Sequence, residues 1–301
     1  MASRKDIETT YNYMDEFWRL CIGDYADISC AMYNGNYNRT LEQAQICKHH
    51  YILKNIQFKP GNRVLDIGCG WGGFLKTIKS NGGDGLGLTL STRQQRNCVK
   101  LGLNVYLLDW KDVNTSQFPK FDSIVSVGAF EHFCSEDEWR GDKHEMIYKE
   151  FFKTCNKLLS YGRRLFLQTM LWGRKATIDK NRISLQAERG SDEYIIALLR
   201  KFYPGSWLPL GISQIVECAQ PYFQLISTNN GRKDYIETMH QWEKKLGKFN
   251  KGKFLAFIKS IPNLILDKDI FYKLEVISNN YNRECFVREL FDHERIVLEK
   301  C

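Results

Sequence analysis

The sequence predicts an α/β fold: a Rossmann-like, mostly parallel sheet with helices on both faces and helical insertions over one edge. Three observations carry this. Between residues 63 and 168, short apolar runs alternate with helical patterns, the rhythm of right-handed crossovers onto a parallel sheet. The runs are apolar almost throughout, as strands buried on both faces are. The first run passes directly into a turn holding Gly68, Gly70, Gly72 and Gly73, four glycines in six positions.

The chain has 301 residues, 43% of them hydrophobic, enough for one large domain with insertions. Residues 1–57 read as an N-terminal helical cap. Tyr11, Met14, Phe17, Trp18 and Cys21 fall at helical spacing, and a second helical pattern runs from Leu41 to Ile56. Pro60-Gly61 opens the main domain, residues 58–301. Within it, strands are expected at 63–67, 85–89, 104–108, 121–127 and 164–168, and helices up to about 80, over 92–101 and over 143–159. The rhythm is lost from 171 to 210. A helix at 212–219 and a strand at 223–227 restore it, 234–284 is helical, and 289–299 forms a last strand. The insertions near 171–210 and 234–284 are expected to cap the C-terminal edge of the sheet, where open α/β folds bind ligands.

Composition excludes several classes. No apolar run reaches the roughly 18 residues that cross a bilayer, and the N-terminus lacks a signal peptide's apolar segment. A soluble, cytoplasmic protein is expected. Ten cysteines stand singly with no Cys-x-x-Cys pair, so neither a disulfide framework nor a metal site is expected. Net charge is +8, but lysine and arginine are dispersed apart from the stretch Lys244 to Lys253, which reads as a solvated helix face. No nucleic-acid partner is expected, and at most a peripheral attraction to anionic lipid headgroups. Nothing in the sequence sets the oligomeric state.

The glycine turn, Val64-Leu-Asp-Ile-Gly-Cys-Gly-Trp-Gly-Gly-Phe74, lets a ligand approach the backbone closely. Gly68, Gly70 and Gly73 satisfy the dinucleotide pattern G-x-G-x-x-G, which is weak alone. A dinucleotide site also places an acidic residue at the end of the second strand, and here that strand ends Leu88-Thr-Leu-Ser91. Asp66 stands two residues before the first glycine. A carboxylate there gains nothing beside a pyrophosphate but can hold water or the ammonium of a zwitterion. S-adenosylmethionine has an amino acid end and no phosphate. At the end of the third strand, Asp109 can accept from an adenine amino group and Trp110 can stack on the ring; either can equally belong to an ordinary strand-end turn. The expected architecture is therefore a seven-stranded class I methyltransferase core with helical caps.

Further residues match a known family. Val64 to Gly73, then Gly87-Leu-Thr-Leu-Ser91 with Gln94, then Val125-Ser-Val-Gly-Ala-Phe-Glu-His-Phe133, together resemble the cyclopropane fatty acid synthases. That family includes the mycolic acid cyclopropane synthases and has plant alkaloid N-methyltransferases as near relatives. Ser29-Cys30-Ala31, Thr40 to Gln45 and Tyr203 to Pro209 extend the likeness, which covers roughly residues 11 to 300. The resemblance implies cofactor contacts at Ser29, Gly68, Thr89, Gln94 and Trp110. It also implies a cluster that in the cyclopropane synthases holds a bicarbonate ion serving as base; the matching positions are Cys30, Gly128, Glu131, Tyr235 and Cys285. The family's histidine on the fifth strand falls at Gln168, which donates a hydrogen bond but carries no proton. Ile28 replaces an aromatic residue expected before Ser29.

These readings give Glu131, Tyr235, His132, Cys30 and Gln168 as candidate catalytic residues. The candidate cofactor residues are Ser29, Asp66, Gly68, Gly70, Thr89, Gln94, Asp109, Trp110 and Gly128. The expected reaction is S-adenosylmethionine-dependent methyl transfer to carbon or nitrogen of an apolar or amphipathic small molecule or lipid. The alternative is cyclopropane formation on unsaturated fatty acyl chains. A non-catalytic binding protein is disfavoured by the complete glycine turn with Gln94 and Glu131. A base-amino methyltransferase is disfavoured because Gly128-Ala-Phe-Glu131 stands where an Asn/Asp-Pro-Pro-aromatic motif would be expected.

Overall fold

The structure, a computed structural model, describes residues 22–23, 27–176, 182–203 and 205–301. The helical pattern read over residues 11–21 lies outside them. The first described helix, α1 (Leu41–Asn55), starts at Thr40, whose hydroxyl accepts from Gln43 N while the Gln43 side chain accepts from Thr40 N. This reciprocal cap satisfies two otherwise unpaired donors of the first turn.

The core is a seven-stranded sheet in the order β3-β2-β1-β4-β5-β7-β6. Its strands are β1 (Arg63–Ile67), β2 (Asp84–Thr89), β3 (Asn104–Leu107), β4 (Phe121–Val127), β5 (Leu159–Trp172), β6 (Phe223–Asn230) and β7 (Phe291–Lys300). The first five pair in parallel, while β7 runs antiparallel to both β5 and β6. Successive residues face opposite sides, and both sides are covered. Val64, Val125, Phe166 and Val297 pack with Ile52, Phe74 and Cys98 on one face; Leu65, Ile124, Leu165 and Leu298 pack with Phe151, Phe152 and Ile215 on the other. That double burial is why the strands read as continuous apolar runs. Strand order reverses between β1 and β4, so the crevice beyond their C-terminal ends is the binding position of this topology.

Two strands exceed their expected lengths, for different reasons. β5 runs on to Trp172 because β7 pairs with it from Arg164 to Trp172, a partnership invisible in local sequence. β6 runs on to Asn230 as an edge strand with exposed polar residues, so its apolar signal fades while its backbone stays paired.

The two insertions close on each other. In the first, α6 (Asp192–Phe202) is capped by Ser191, whose hydroxyl accepts from Tyr194 N. The second holds α8 (Arg232–Gly247), α9 (Lys251–Leu266), α10 (Ile270–Ser278) and α11 (Tyr281–Val287). Ile195 and Leu198 of α6 share a buried cluster with Val276 of α10 and Cys285 of α11. The remaining described α-helices are α2 (Gly73–Ser80), α3 (Thr92–Lys100), α4 (Glu136–Arg140), α5 (His144–Leu158) and α7 (Ile212–Ala219), with short 3-10 turns at Trp110–Asp112 and Phe130–His132.

Candidate active site

Two cavities meet above the C-terminal ends of β1 and β4. The first is lined by the glycine turn, the ends of β2 and β3, and residues 27–29. Ser29, Asp66, Gly68, Gly70, Thr89, Gln94, Asp109, Trp110 and Gly128 all line it. Each lies on or beside a strand end or on the segment covering them, which is how positions 29 to 128 converge.

The glycines of the turn differ in role. A Cβ on Gly68 would stand 2.4 Å from Ala129 Cβ, so Gly68 is required by the protein's own packing. A Cβ on Gly70 would meet nothing within 4 Å; Gly70 has φ +55° and faces the cavity. At the end of β2, Thr89 Oγ1 donates to Gln94 Oε1 at 2.8 Å and Ser91 Oγ accepts from Gln94 N, which fixes Gln94 against the cavity. Asp109 Oδ1 accepts from Lys111 N at 3.0 Å and so caps the turn that carries Trp110, yet it also lines the cavity. The Trp110 ring is braced against Phe133 and Phe151, with centroids 5.2 and 5.3 Å away.

Asp66 is 3% exposed, and its carboxylate accepts no hydrogen bond from any described residue. Burial first, and the neighbouring Asp27 carboxylate second, raise it to about 7, against the pull of Lys48. Asp27 itself is held by Lys48 Nζ at 3.1 Å and His49 Nε2 at 2.7 Å, and His49 Nδ1 lies 2.7 Å from Thr77 Oγ1. Lys48 Nζ also donates to Ser29 Oγ at 2.8 Å. This network under the cavity is absent from the expectations above; its one sequence trace is the Lys48-His49 pair on the inner side of α1. Against its burial, Asp27 is kept strongly acidic by the Lys48 ammonium and by its contact with the His49 ring, whose own pKa burial lowers.

The second cavity is mostly apolar and lies between the insertions. It shares Ile28, Trp71, Gly128 and His132 with the first, and Glu131, Tyr203, Trp207, Tyr235 and Trp242 line it. Glu131 is 3% exposed; its Oε1 accepts from Met170 N at 2.8 Å, and its Oε2 has no partner among described residues. Burial raises this carboxyl to about 7. His132 sits at the junction with Nδ1 2.7 Å from Ser206 Oγ, and burial lowers its imidazole to about 4. Tyr235 packs against Phe286 and His293, with centroids 4.9 and 5.2 Å away.

Cys30, Gln168 and Cys285 are not brought to either cavity. Gln168 Nε2 donates to Cys30 O at 3.1 Å, which occupies one of its two N–H donors. Cys30 Sγ lies 3.2 Å from Ala31 O, and burial pushes the thiol up to about 12. Cys285 is fully buried in the cluster that joins the insertions.

What fixes residues 29–34 is a buried ion pair that the sequence reading missed. Arg295 of β7, fully buried, donates through Nη2 to Asp234 Oδ2 at 3.0 Å and to Ala31 O at 2.9 Å. Asp234 Oδ1 accepts from Tyr33 N and Asn34 N, and Thr238 Oγ1 accepts from Ala31 N. Asp234→Ala strands a buried guanidinium and two backbone donors, so stability should fall by about 3–5 kcal/mol in chemical denaturation. A loss under about 1 kcal/mol would show that the pair does not anchor the segment.

The family profile "Mycolic acid cyclopropane synthetase" matches residues 1–260. The cyclopropane-fatty-acyl-phospholipid synthase of Escherichia coli K12 is 31% identical over 237 residues, 77% of this chain and 54% of its own. This chain thus spans about half the length of that relative. Cyclopropane mycolic acid synthase 1 of Mycobacterium tuberculosis is 28% identical over 257 residues, 83% of this chain and 84% of its own. Among solved structures, mycolic acid cyclopropane synthase CmaA1 complexed with SAH and CTAB superposes with TM-score 0.77 at 24% identity, covering 99% of this chain and 98% of that one.

Proposed function

Because this chain belongs to the mycolic acid cyclopropane synthetase family, we propose that it is an S-adenosylmethionine-dependent methyltransferase acting on a lipid or another apolar, amphipathic acceptor. The observation that carries this is the pair of cavities joined at Ile28, Trp71, Gly128 and His132, one polar-rimmed beside the glycine turn and one apolar. Bound S-adenosylmethionine supplies a methyl group already activated by its sulfonium. The chain's own task is alignment and proton removal, and alignment contributes several kcal/mol. Gly70 leaves room along the turn, Asp66 meets the ammonium end, and Thr89, Gln94, Asp109 and Trp110 border the nucleoside end. The apolar cavity holds the acceptor and excludes water. Glu131, with a carboxyl near 7 and one oxygen lacking a protein partner, accepts the proton.

Asp66→Ala should weaken S-adenosylmethionine binding by about 1–3 kcal/mol, the cost of removing one side of a charged hydrogen bond. Calorimetric titration measures this, and unchanged affinity would reduce Asp66 to a strand residue.

The cyclopropane-forming alternative is favoured by the relatives' names, and by nothing at Gln168 or Cys30. Its ring closure takes a proton from the transferred methyl group after an alkene carbon attacks it, whereas plain methylation leaves that group intact. Purified enzyme supplied with cofactor deuterated on the methyl and with unsaturated phospholipid or amine acceptors separates the two. Our reading requires all three deuterons in the product, and loss of one would establish ring formation. With the Gln168 amide and the Cys30 thiol engaged elsewhere, few donors are left for a bicarbonate ion, and burying an anion without donors is costly. The rate should therefore be unaffected when bicarbonate is stripped from the buffer. A rate that falls and recovers on its return would place the ion in the mechanism.

A further inference from the structure

The helix α9 is oriented inside out. Its inward face carries Lys253, Ala256 and Ser260, all buried, at helical spacing. Its large apolar residues, among them Phe254, Ile258 and Ile265, face outward, and the exposed face continues through Phe249 (86% exposed) and Phe271 (80%). A helix on a soluble core ordinarily buries its apolar stripe. The orientation here is enforced by Lys253. Expected in a solvated face, it is instead 7% exposed, because its ammonium caps the end of α8 by donating to the carbonyls of Lys245, Leu246 and Lys248. Contiguous exposed apolar surface of this kind marks an interaction site.

We propose that this face, residues 249–274, docks on a lipid bilayer containing anionic headgroups. Charge selects that occupant over a second copy of the chain. Residues 249–274 hold five lysines and two aspartates, a net +3 of which Lys253 is buried, and Lys244 and Lys248 stand just before them. Both aspartates are already engaged, Asp267 with Lys273 at 2.8 Å and Asp269 with Lys201 at 3.6 Å. Two such faces pressed together would oppose their cations, whereas an anionic headgroup layer neutralises them while the phenylalanine and isoleucine side chains enter the acyl boundary. Among described residues no helix is long and apolar enough to cross a membrane, so contact is lateral. The flanking helices α8 and α10 supply Trp242, Leu246, Val276 and Ile277 to the apolar cavity, which sets the docked face beside the acceptor site.

The test is flotation of the full-length chain with vesicles of phosphatidylcholine alone and of phosphatidylcholine mixed with phosphatidylglycerol, without cofactor or turnover. Partition onto the mixed vesicles should exceed that onto phosphatidylcholine at least tenfold and fall with added salt. Ile265→Ser combined with Phe271→Ser should lower it at least tenfold with an unchanged thermal midpoint, since both side chains are largely solvent-exposed already. Lys248→Glu with Lys268→Glu should remove the preference for the anionic lipid. Absence of partition, or a double serine variant that partitions like the parent, overturns the proposal. So does a dimer in sedimentation that the serine variant dissolves while neither protein floats. Because no turnover is read, such a failure would leave the proposed reaction untouched.

Discussion

Replacing Gly70 with valine is expected to abolish S-adenosylmethionine binding while leaving a folded protein. At φ +55°, with nothing within 4 Å of an added Cβ, the new side chain projects into the cavity rather than into the protein. The backbone cost of a β-branched residue in the left-handed region is about 1–3 kcal/mol, which lowers the melting temperature without unfolding the domain. The ligand, by contrast, loses the space along the turn, and titration calorimetry should detect no heat of binding. Gly68→Ala is the contrasting case. Its Cβ would overlap that of Ala129, so the variant should lose stability first and binding as a consequence. Unchanged affinity in Gly70→Val would remove the glycine turn from the cofactor site.

Glu131→Gln should cost at least tenfold in turnover, as removal of a general base does. The amide preserves the shape and can still accept from Met170 N, so the loss reports the proton-accepting oxygen and not a packing defect. In the parent enzyme the rate should rise with pH through about 7 as the carboxyl loses its proton, and this limb should vanish in the variant. His132, lowered to about 4, stays neutral across that window and does not contribute to it.

Stability should show the opposite sign. A carboxyl raised from 4.5 to about 7 by folding supports the native state fully below 4.5 and loses that support as pH rises to 7. At pH 8 the buried charge therefore costs on the order of 3 kcal/mol. Glu131→Gln should melt above the parent at pH 8 and no higher at pH 4. Asp66, raised in the same way, adds to the parent's loss but is common to both proteins. A fully active Glu131→Gln would exclude Glu131 as the base.

The sequence by itself determined the alternating sheet, the glycine turn and the candidate positions Asp66 and Asp109 at strand ends. Those signals are local: a run buried on both faces must be apolar throughout, and a sharp turn after a strand needs glycine. Motif resemblance added Ser29, Thr89, Gln94, Gly128, Glu131 and Tyr235, which line the cavities, together with Cys30, Gln168 and Cys285, which do not.

Only the tertiary structure decided where side chains from distant segments point. Gln168 is spent on Cys30 O because residues 29–34 are pinned by Arg295 and Asp234, partners over two hundred positions away that no periodicity links to them. The lysine-rich stretch from Lys244 to Lys253, across the end of α8 and the start of α9, reads as a solvated face because composition records charge but not direction. The carbonyls at the end of α8 draw Lys253 inward and turn the phenylalanines of α9 outward, and that reversal follows from three-dimensional hydrogen bonding alone.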